Sequence, residues 1–544
     1  MLTKVKFQNY KAFREGNIEV KPLTILLGAN SVGKSSLLQL FLMLQETALA
    51  ENYKSALKLH GPFFSLGEGI NLFRKKDNKN ALHLEFNFNE SSIGDVLNRE
   101  GDKFLDELMT ICYFVIARLP ATDRPGKEKE KSTKMITELL TWKRGQITRE
   151  AIENLVKRSY EIISRNKAIV KDIAATASDL RNTIRKALLS DKDELLKAFD
   201  FFKKLQGIEN SEKVRIEYDF KYSESVLKIR RCKLHIGNVE IANIDLDAPA
   251  DDFISSDLID FRGIHEKQKA ELKNSFKSDR TVFSFIENTD MPDKMNSLLC
   301  VSFRNIVSEV FSCLQQSFNS QRINYVSPLR AHPKRYYFLD KAKVNKFLDT
   351  LDGEAIAEIL KDNSNLKDSV NNWFKRFNLK INVGPIKDVI HQIWVNQNSL
   401  DLDITDVGFG VSQILPVIIQ GFLSKEGSIT LIEQPEIHLH PKMQADLADL
   451  FIDIAIRKNE RSAEGRFLVI ETHSEYLLKR LRRRISEGTV HAGQVAIYYV
   501  EQEADCECTT IKKIDIGEKG AFDWPKDFYT GDLAADVFEF LKNQ

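Results

Sequence analysis

Leu23-Thr24-Ile25-Leu26-Leu27-Gly28-Ala29-Asn30-Ser31-Val32-Gly33-Lys34-Ser35-Ser36 begins as a nearly continuous apolar run and ends in a glycine turn. Such a run predicts a buried strand, and the apolar stretch Leu37 to Leu44 behind it predicts a helix. The order is strand, glycine loop, helix start. In that setting GxxxxGKS is a phosphate cradle, because successive backbone N–H groups must turn inward and the helix adds the positive end of its dipole. Gly28 and Gly33 permit the tight path, and the backbone of Asn30 and Ser31 lines it. Lys34 is expected to reach the β- and γ-phosphates, Ser35 to ligate Mg²⁺, and Ser36 to continue the cradle into the helix.

Outward from this loop, Leu2 to Phe7 alternates like a half-buried strand. Far along the chain, Gly427-Ser428-Ile429-Thr430-Leu431-Ile432-Glu433-Gln434-Pro435-Glu436 predicts a second apolar strand, this one ending in acid. A carboxylate at a buried strand end is costly unless it binds something. Its natural ligand is the Mg²⁺ held by Ser35, since a parallel sheet lines strand ends along one rim. A third strand, Phe467 to Glu471, runs into Thr472-His473-Ser474, where Ser474 is expected to cap a helix from Glu475 to Ile485. Between these strands lies Asp406-Val407-Gly408-Phe409-Gly410-Val411-Ser412-Gln413, a glycine and serine turn leading into an apolar helix from Ile414 to Leu423.

Composition bounds what surrounds this site. The 544 residues, 42% hydrophobic and 29% charged, suffice for two or three cores. A formal net charge of +1 gives no bulk signal for a nucleic-acid partner, so any basic surface has to be local. Six cysteines without CxxC spacing and no leader-like opening point to a cytoplasmic, reducing location. No apolar run is expected to span a bilayer, so no membrane association is predicted.

The middle of the chain reads differently. Asn80 to Asn89 alternates as a strand, a charged helix-period region runs from Ile93 to Gln206, and strands resume at Val214 to Tyr222 and Val226 to Ile236. No sustained heptad appears, and Pro120, Pro125 and Gly145 interrupt the pattern, so a compact helical insertion or lid is expected over a long coiled coil. Arg124 to Lys131 reads as an exposed mixed-charge loop. Lys479, Arg480, Arg482, Arg483 and Arg484 crowd one helix and would either dock phosphate or pair with local acids.

The order GANSVGKSS, a very long interruption, DVGFGVSQ, LIEQPEIHLHP and ETHS resembles the ABC/SMC-like ATPases related to the overcoming-lysogenization-defect and RecF proteins. More narrowly it resembles the PtuA-type ATPases of Septu and retron-linked antiphage systems. Tyr325-Val326-Ser327-Pro328-Leu329-Arg330-Ala331 and the Gly517 to Phe528 stretch add to this, over roughly residues 1 to 90 and 320 to 544.

The resemblance implies an α/β fold, an ABC/SMC-type P-loop NTPase head with an antiparallel β subdomain and a helical insertion. Residues 1–90 would form the first part of the head, 91–320 the insertion with its strands, and 321–544 the rest of the head. It implies ATP and Mg²⁺ as ligands. Glu433 would be the Walker B acid and metal ligand with Ser35, and His473 the switch histidine that senses the γ-phosphate. Gly408, Gly410 and Ser412 would be a degenerate signature loop that acts on the nucleotide of a second subunit, so a homodimer or higher oligomer follows.

PtuA-type proteins work beside an HNH endonuclease, PtuB, and in the retron version beside a reverse transcriptase with its RNA-linked single-stranded DNA. The implied function is control of that nuclease. Many ABC and SMC proteins carry a second acid after Walker B, whereas this chain has Gln434, which orients water but takes no proton. Glu436 is the nearest replacement base, and slow turnover is expected. The alternative is a RecF/SMC-like DNA-binding repair ATPase. A nuclease in cis is disfavoured, because too little chain follows His473 for such a domain.

Overall fold

The computed structural model describes residues 1–51, 53–117, 147–165, 179–287, 297–318, 322–338, 354–387, 389–456, 465–503, 508–524 and 542. The chain forms two compact units, one of Met1–Leu49, Lys58–Leu82 and Ser317–Gln544, the other of Ala50–Leu57 and His83–Gln316. Pro120, Pro125, Gly145, the Arg124 to Lys131 loop and the Pro525 to Phe528 end of the C-terminal stretch lie outside the described residues.

The first unit is organised by one mixed sheet. Its strands are β1 (Leu2–Tyr10), β2 (Phe13–Glu19), β3 (Leu23–Gly28), β4 (Ile323–Val326), β5 (Ile429–Glu433), β6 (Phe467–Glu471), β7 (Val495–Glu503) and β8 (Cys508–Ile514). In space they run β1-β2-β8-β7-β3-β6-β5-β4. Strands β4, β5, β6, β3 and β7 are mutually parallel, and β7–β8 and β1–β2 are antiparallel pairs. All six residues of β3 and all five of β5 are buried, the pattern of parallel strands covered on both faces.

Four helices flank the site: α1 (Lys34–Ala48), α2 (Phe409–Leu423), α3 (Pro441–Ala455) and α4 (Glu475–Ser486). Ile25, Ile418, Leu447, Ile470 and Leu477 share one core. Helix α2 begins five residues earlier than its apolar pattern suggests, directly after Gly408, whose backbone is extended. Ser412 therefore sits in the helix's first turn, and is buried. Gly410 belongs there because a Cβ would come 2.9 Å from the His438 carbonyl oxygen. A small antiparallel sheet, Tyr337–Phe338, Ile390–Gln397, Leu379–Lys387 and Leu400–Asp403, completes this unit.

In the second unit the antiparallel strands Lys213–Ser223, Val226–Ile236, Val239–Asp245 and Ile254–Ser255 accompany helices Ser92–Ala117, Arg149–Arg165, Asp179–Ser190 and Lys192–Gln206. These four helices pack on one another, with Phe104 stacked on Phe202 at 4.7 Å.

Helix Leu298–Ser317 corrects one expectation. By length and composition it is apolar enough to cross a membrane. Its apolar residues, among them Phe303, Ile306, Val310 and Leu314, are buried in the protein, as in a core helix.

Candidate functional site

Strand register brings the acids to the glycine loop. Glu433 lies beside Glu471, and Glu471 beside Leu26, two residues before Gly28. Three strands thus end on one rim, where open parallel sheets bind ligands. Gly28 has φ +146°, and a Cβ there would stand 2.2 Å from the Val500 carbonyl oxygen, so only glycine fits between the loop and β7. Asn30 and Ser31 are exposed, and Ser31 has φ 63°. Gly33 caps α1 without a side-chain bond, which leaves the helix N-terminus to bind through its backbone. Ser36 is anchored from below, its carbonyl oxygen accepting from the Tyr10 hydroxyl at 3.0 Å.

Lys34, 3% exposed, donates from Nζ to the carbonyl oxygens of Gly28 at 3.1 Å and Ala29 at 2.6 Å, and lies 3.7 Å from Glu471 Oε1. The Ser35 hydroxyl donates to Glu471 Oε2 at 3.1 Å. The Tyr325 hydroxyl donates to Glu433 Oε1 at 3.0 Å. From the same segment Arg330 donates through Nη2 to the carbonyl oxygens of Glu433 at 2.9 Å and Gln434 at 3.2 Å.

The electrostatics follow from burial. Glu433 is pushed up to about 7, first by burial and then by Glu471, against the Tyr325 and Ser35 hydroxyls and Lys34. Burial also raises Glu471, with Lys34 and Ser35 opposing. Lys34 is lowered by burial, with Glu471 pulling the other way. Burial brings Arg330 down to about 10.

Two buried carboxylates that repel each other beside a hydroxyl fit a divalent cation. Magnesium takes one or two carboxylates and completes its shell with phosphate oxygens and water.

The other predicted residues surround this centre. Gln434 has φ 45° and donates its backbone N–H to the Glu471 carbonyl oxygen at 2.8 Å, tying the turn after β5 to the end of β6. Glu436 accepts from the Thr472 hydroxyl at 2.8 Å and the His473 backbone N–H at 2.7 Å. These two bonds tie Glu436 to the Thr472-His473 turn. Among the described residues His473 Nε2 is buried without a hydrogen-bond partner, and burial and then Lys34 lower the pKa of its ring. Ser474 caps α4, accepting from Leu477 N at 3.2 Å.

Gly408, Gly410 and Ser412 sit together at the start of α2, with Gly410 against the His438 carbonyl oxygen. Glu471, Tyr325 and Arg330 were missed as site residues, although an acid ending a second apolar strand is the same signal that singles out Glu433.

The basic run is paired internally. Arg480 meets Asp446 at 3.0 Å and Asp449 at 2.7 Å, and Arg484 meets Asp449 at 2.6 Å and Glu487 at 2.7 Å. Arg483 and Lys479 pair with Glu487 and Glu475, each at 2.7 Å. Arg482 lies over the rings of Phe522 and Trp524 at 4.9 and 5.4 Å. Its acids and rings satisfy this helix locally.

A family model described as an AAA ATPase domain matches residues 1–478. No curated protein matches the chain. Among solved structures, the SMC head domain from Thermotoga maritima is 8% identical, covering 95% of this chain and 99% of that one, at a TM-score of 0.34. The Smc head domain with an extended coiled coil bound to the C-terminal domain of ScpA, from Pyrococcus furiosus, is 9% identical, covering 99% of each chain, at a TM-score of 0.31.

Proposed function

The chain belongs to the AAA ATPase domain family, and from that premise we propose that it is a slow, ATP-gated switch whose output is control of a separate nuclease. The observation that carries the ATP part is the buried pair Glu433 and Glu471 around the Ser35 hydroxyl, with Lys34 alongside. In this reading the loop amides from Gly28 to Ser36 wrap the phosphates, and Lys34 exchanges its loop carbonyls for β- and γ-phosphate oxygens. Ser35, Glu433 and Glu471 hold magnesium, which when bound neutralises phosphate charge. His473 offers Nε2 to the γ-phosphate as a neutral donor, its backbone fixed by Glu436. Gln434 orients water without removing its proton, so hydrolysis is slow and the bound state persists.

A homodimer with composite sites follows if the α2 N-terminus, from Gly408 to Ser412, meets a partner's nucleotide. The antiphage role, a PtuB-type HNH endonuclease partner and a retron reverse transcriptase with its single-stranded DNA are supported by the motif resemblance, and a cytoplasmic location by the cysteine usage. Phosphate release by the wild type under single turnover, above the background of Lys34→Ala, tests the switch. Co-purification with an HNH nuclease encoded beside it, dependent on ATP, tests the output. The second reading, a DNA-clamping repair ATPase, predicts ATP-dependent and salt-sensitive DNA binding by the isolated chain. The internal pairing of the α4 cations weighs against it.

A further inference from the structure

Beside β4 lies a cavity of about 270 Å³, lined by residues that include Leu42, Gln45, Phe63, Asn324, Tyr325 and Gln420. All of its lining residues belong to the first unit. The rings of Phe63 and Tyr325, 5.1 Å apart and tilted by 55°, give it an aromatic wall. Gln45, Asn324 and Gln420, each with a primary amide, are among the lining residues, and Asn324 Nδ2 donates to the Ser424 hydroxyl at 3.5 Å. Gln45 Nε2 donates to the Ile323 carbonyl oxygen at 2.9 Å, which sets its amide plane. The acid at the rim, Glu46, is paired with Lys58 at 2.8 Å, so the cavity has no unbalanced charge to offer an ion.

Aromatic faces joined to neutral amides match a flat ring system edged with alternating donors and acceptors, the chemistry of a nucleobase. A cavity of about 150 Å³ accepts benzene, so this one has room for two fused rings. We propose that it is a nucleobase-binding site distinct from the phosphate cradle. Its α1 residues lie on the second half of that helix, with Leu42 about 12 Å along the axis from Lys34 at ~1.5 Å per residue. The Tyr325 ring lines the cavity while its hydroxyl holds Glu433, so an occupant acts on that acid. This coupling, unlike the binding itself, rests on Glu433 serving the metal.

The test is saturation-transfer NMR on the full chain in EDTA, with adenosine, guanosine, cytidine and thymidine, then with a short mixed-sequence DNA strand, each repeated with excess inorganic triphosphate. At least one nucleoside should bind with Kd below about 1 mM. Phe63→Ala and Gln420→Leu, each confirmed folded by circular dichroism, should weaken it by roughly tenfold or more, and inorganic triphosphate should not displace it. Binding of the strand alone, with the same sensitivity to the variants, supports the site and makes an unpaired base its source. Binding of neither, indifference to both variants, or displacement by inorganic triphosphate overturns it. Phe63→Ala alone decides if Gln420→Leu does not fold.

Discussion

Strands β5 and β6 lie side by side, run in the same direction and both end in glutamate, yet the two acids are held differently. Glu471, on the strand next to β3, takes the Ser35 hydroxyl and faces Lys34. Glu433, one strand further out, is held by Tyr325 on its side chain and by Arg330 on its backbone. Beyond them β5 turns into Gln434-Pro435-Glu436 and β6 into Thr472-His473-Ser474, and Glu436 crosses over to bond the second turn. The Ser35 hydroxyl acts on both acids, while Glu433 is also held by a distant segment.

The largest effect is expected where both strands converge. Lys34→Ala removes the cation that faces Glu471 and should lower ATP turnover by roughly 100-fold or more, read as phosphate release. Next come the acids. Glu471→Gln and Glu433→Gln should each raise the magnesium concentration for half-maximal turnover by about 10-fold or more. A variant that leaves it unchanged removes that strand from the metal site. If the proposed slow turnover stems from Gln434, Gln434→Glu should speed single-turnover release by about 10- to 100-fold. No gain would mean that the base lies elsewhere. Smallest is Tyr325→Phe, which deletes one hydrogen bond and should cost about 1 kcal/mol of stability and a few-fold in magnesium dependence.

The same acids set a pH dependence. Glu433 and Glu471 bind protons more tightly folded than unfolded, so the metal-free chain should be most stable below about pH 4.5 as far as these groups decide it. That contribution is lost as pH rises towards about 7, the value for Glu433. Thermal melts in EDTA should show a loss on the order of 1–3 kcal/mol over this window. Glu433→Gln should flatten the curve, and a melt that rises with pH in the variant and the wild type alike would contradict the repulsion.

The comparison also marks where sequence reading reaches its limit. The phosphate loop, Glu433 and His473 were legible because each lies within a short run whose apolar pattern fixes the strand before it. Glu471 was equally visible as a letter, but its part depends on β6 lying between β3 and β5, and sheet order is not written in any one segment. Tyr325 and Arg330 reach Glu433 across more than 100 positions of sequence. The start of α2 was misplaced because Phe409-Gly410 looks like a loop until the close approach of His438 explains the glycine. The α4 cations showed their number in the sequence, whereas their partners Asp446 and Asp449 come from α3.

The central claim is that both strand ends serve one metal–nucleotide site. Its most direct test is electron paramagnetic resonance of Mn²⁺ titrated into the full chain with and without ATP, for wild type, Glu433→Gln and Glu471→Gln. One tightly held, ATP-dependent ion per chain is expected in the wild type, weakened by about 10-fold or more in both variants. Wild-type Mn²⁺ affinity in either variant would contradict it.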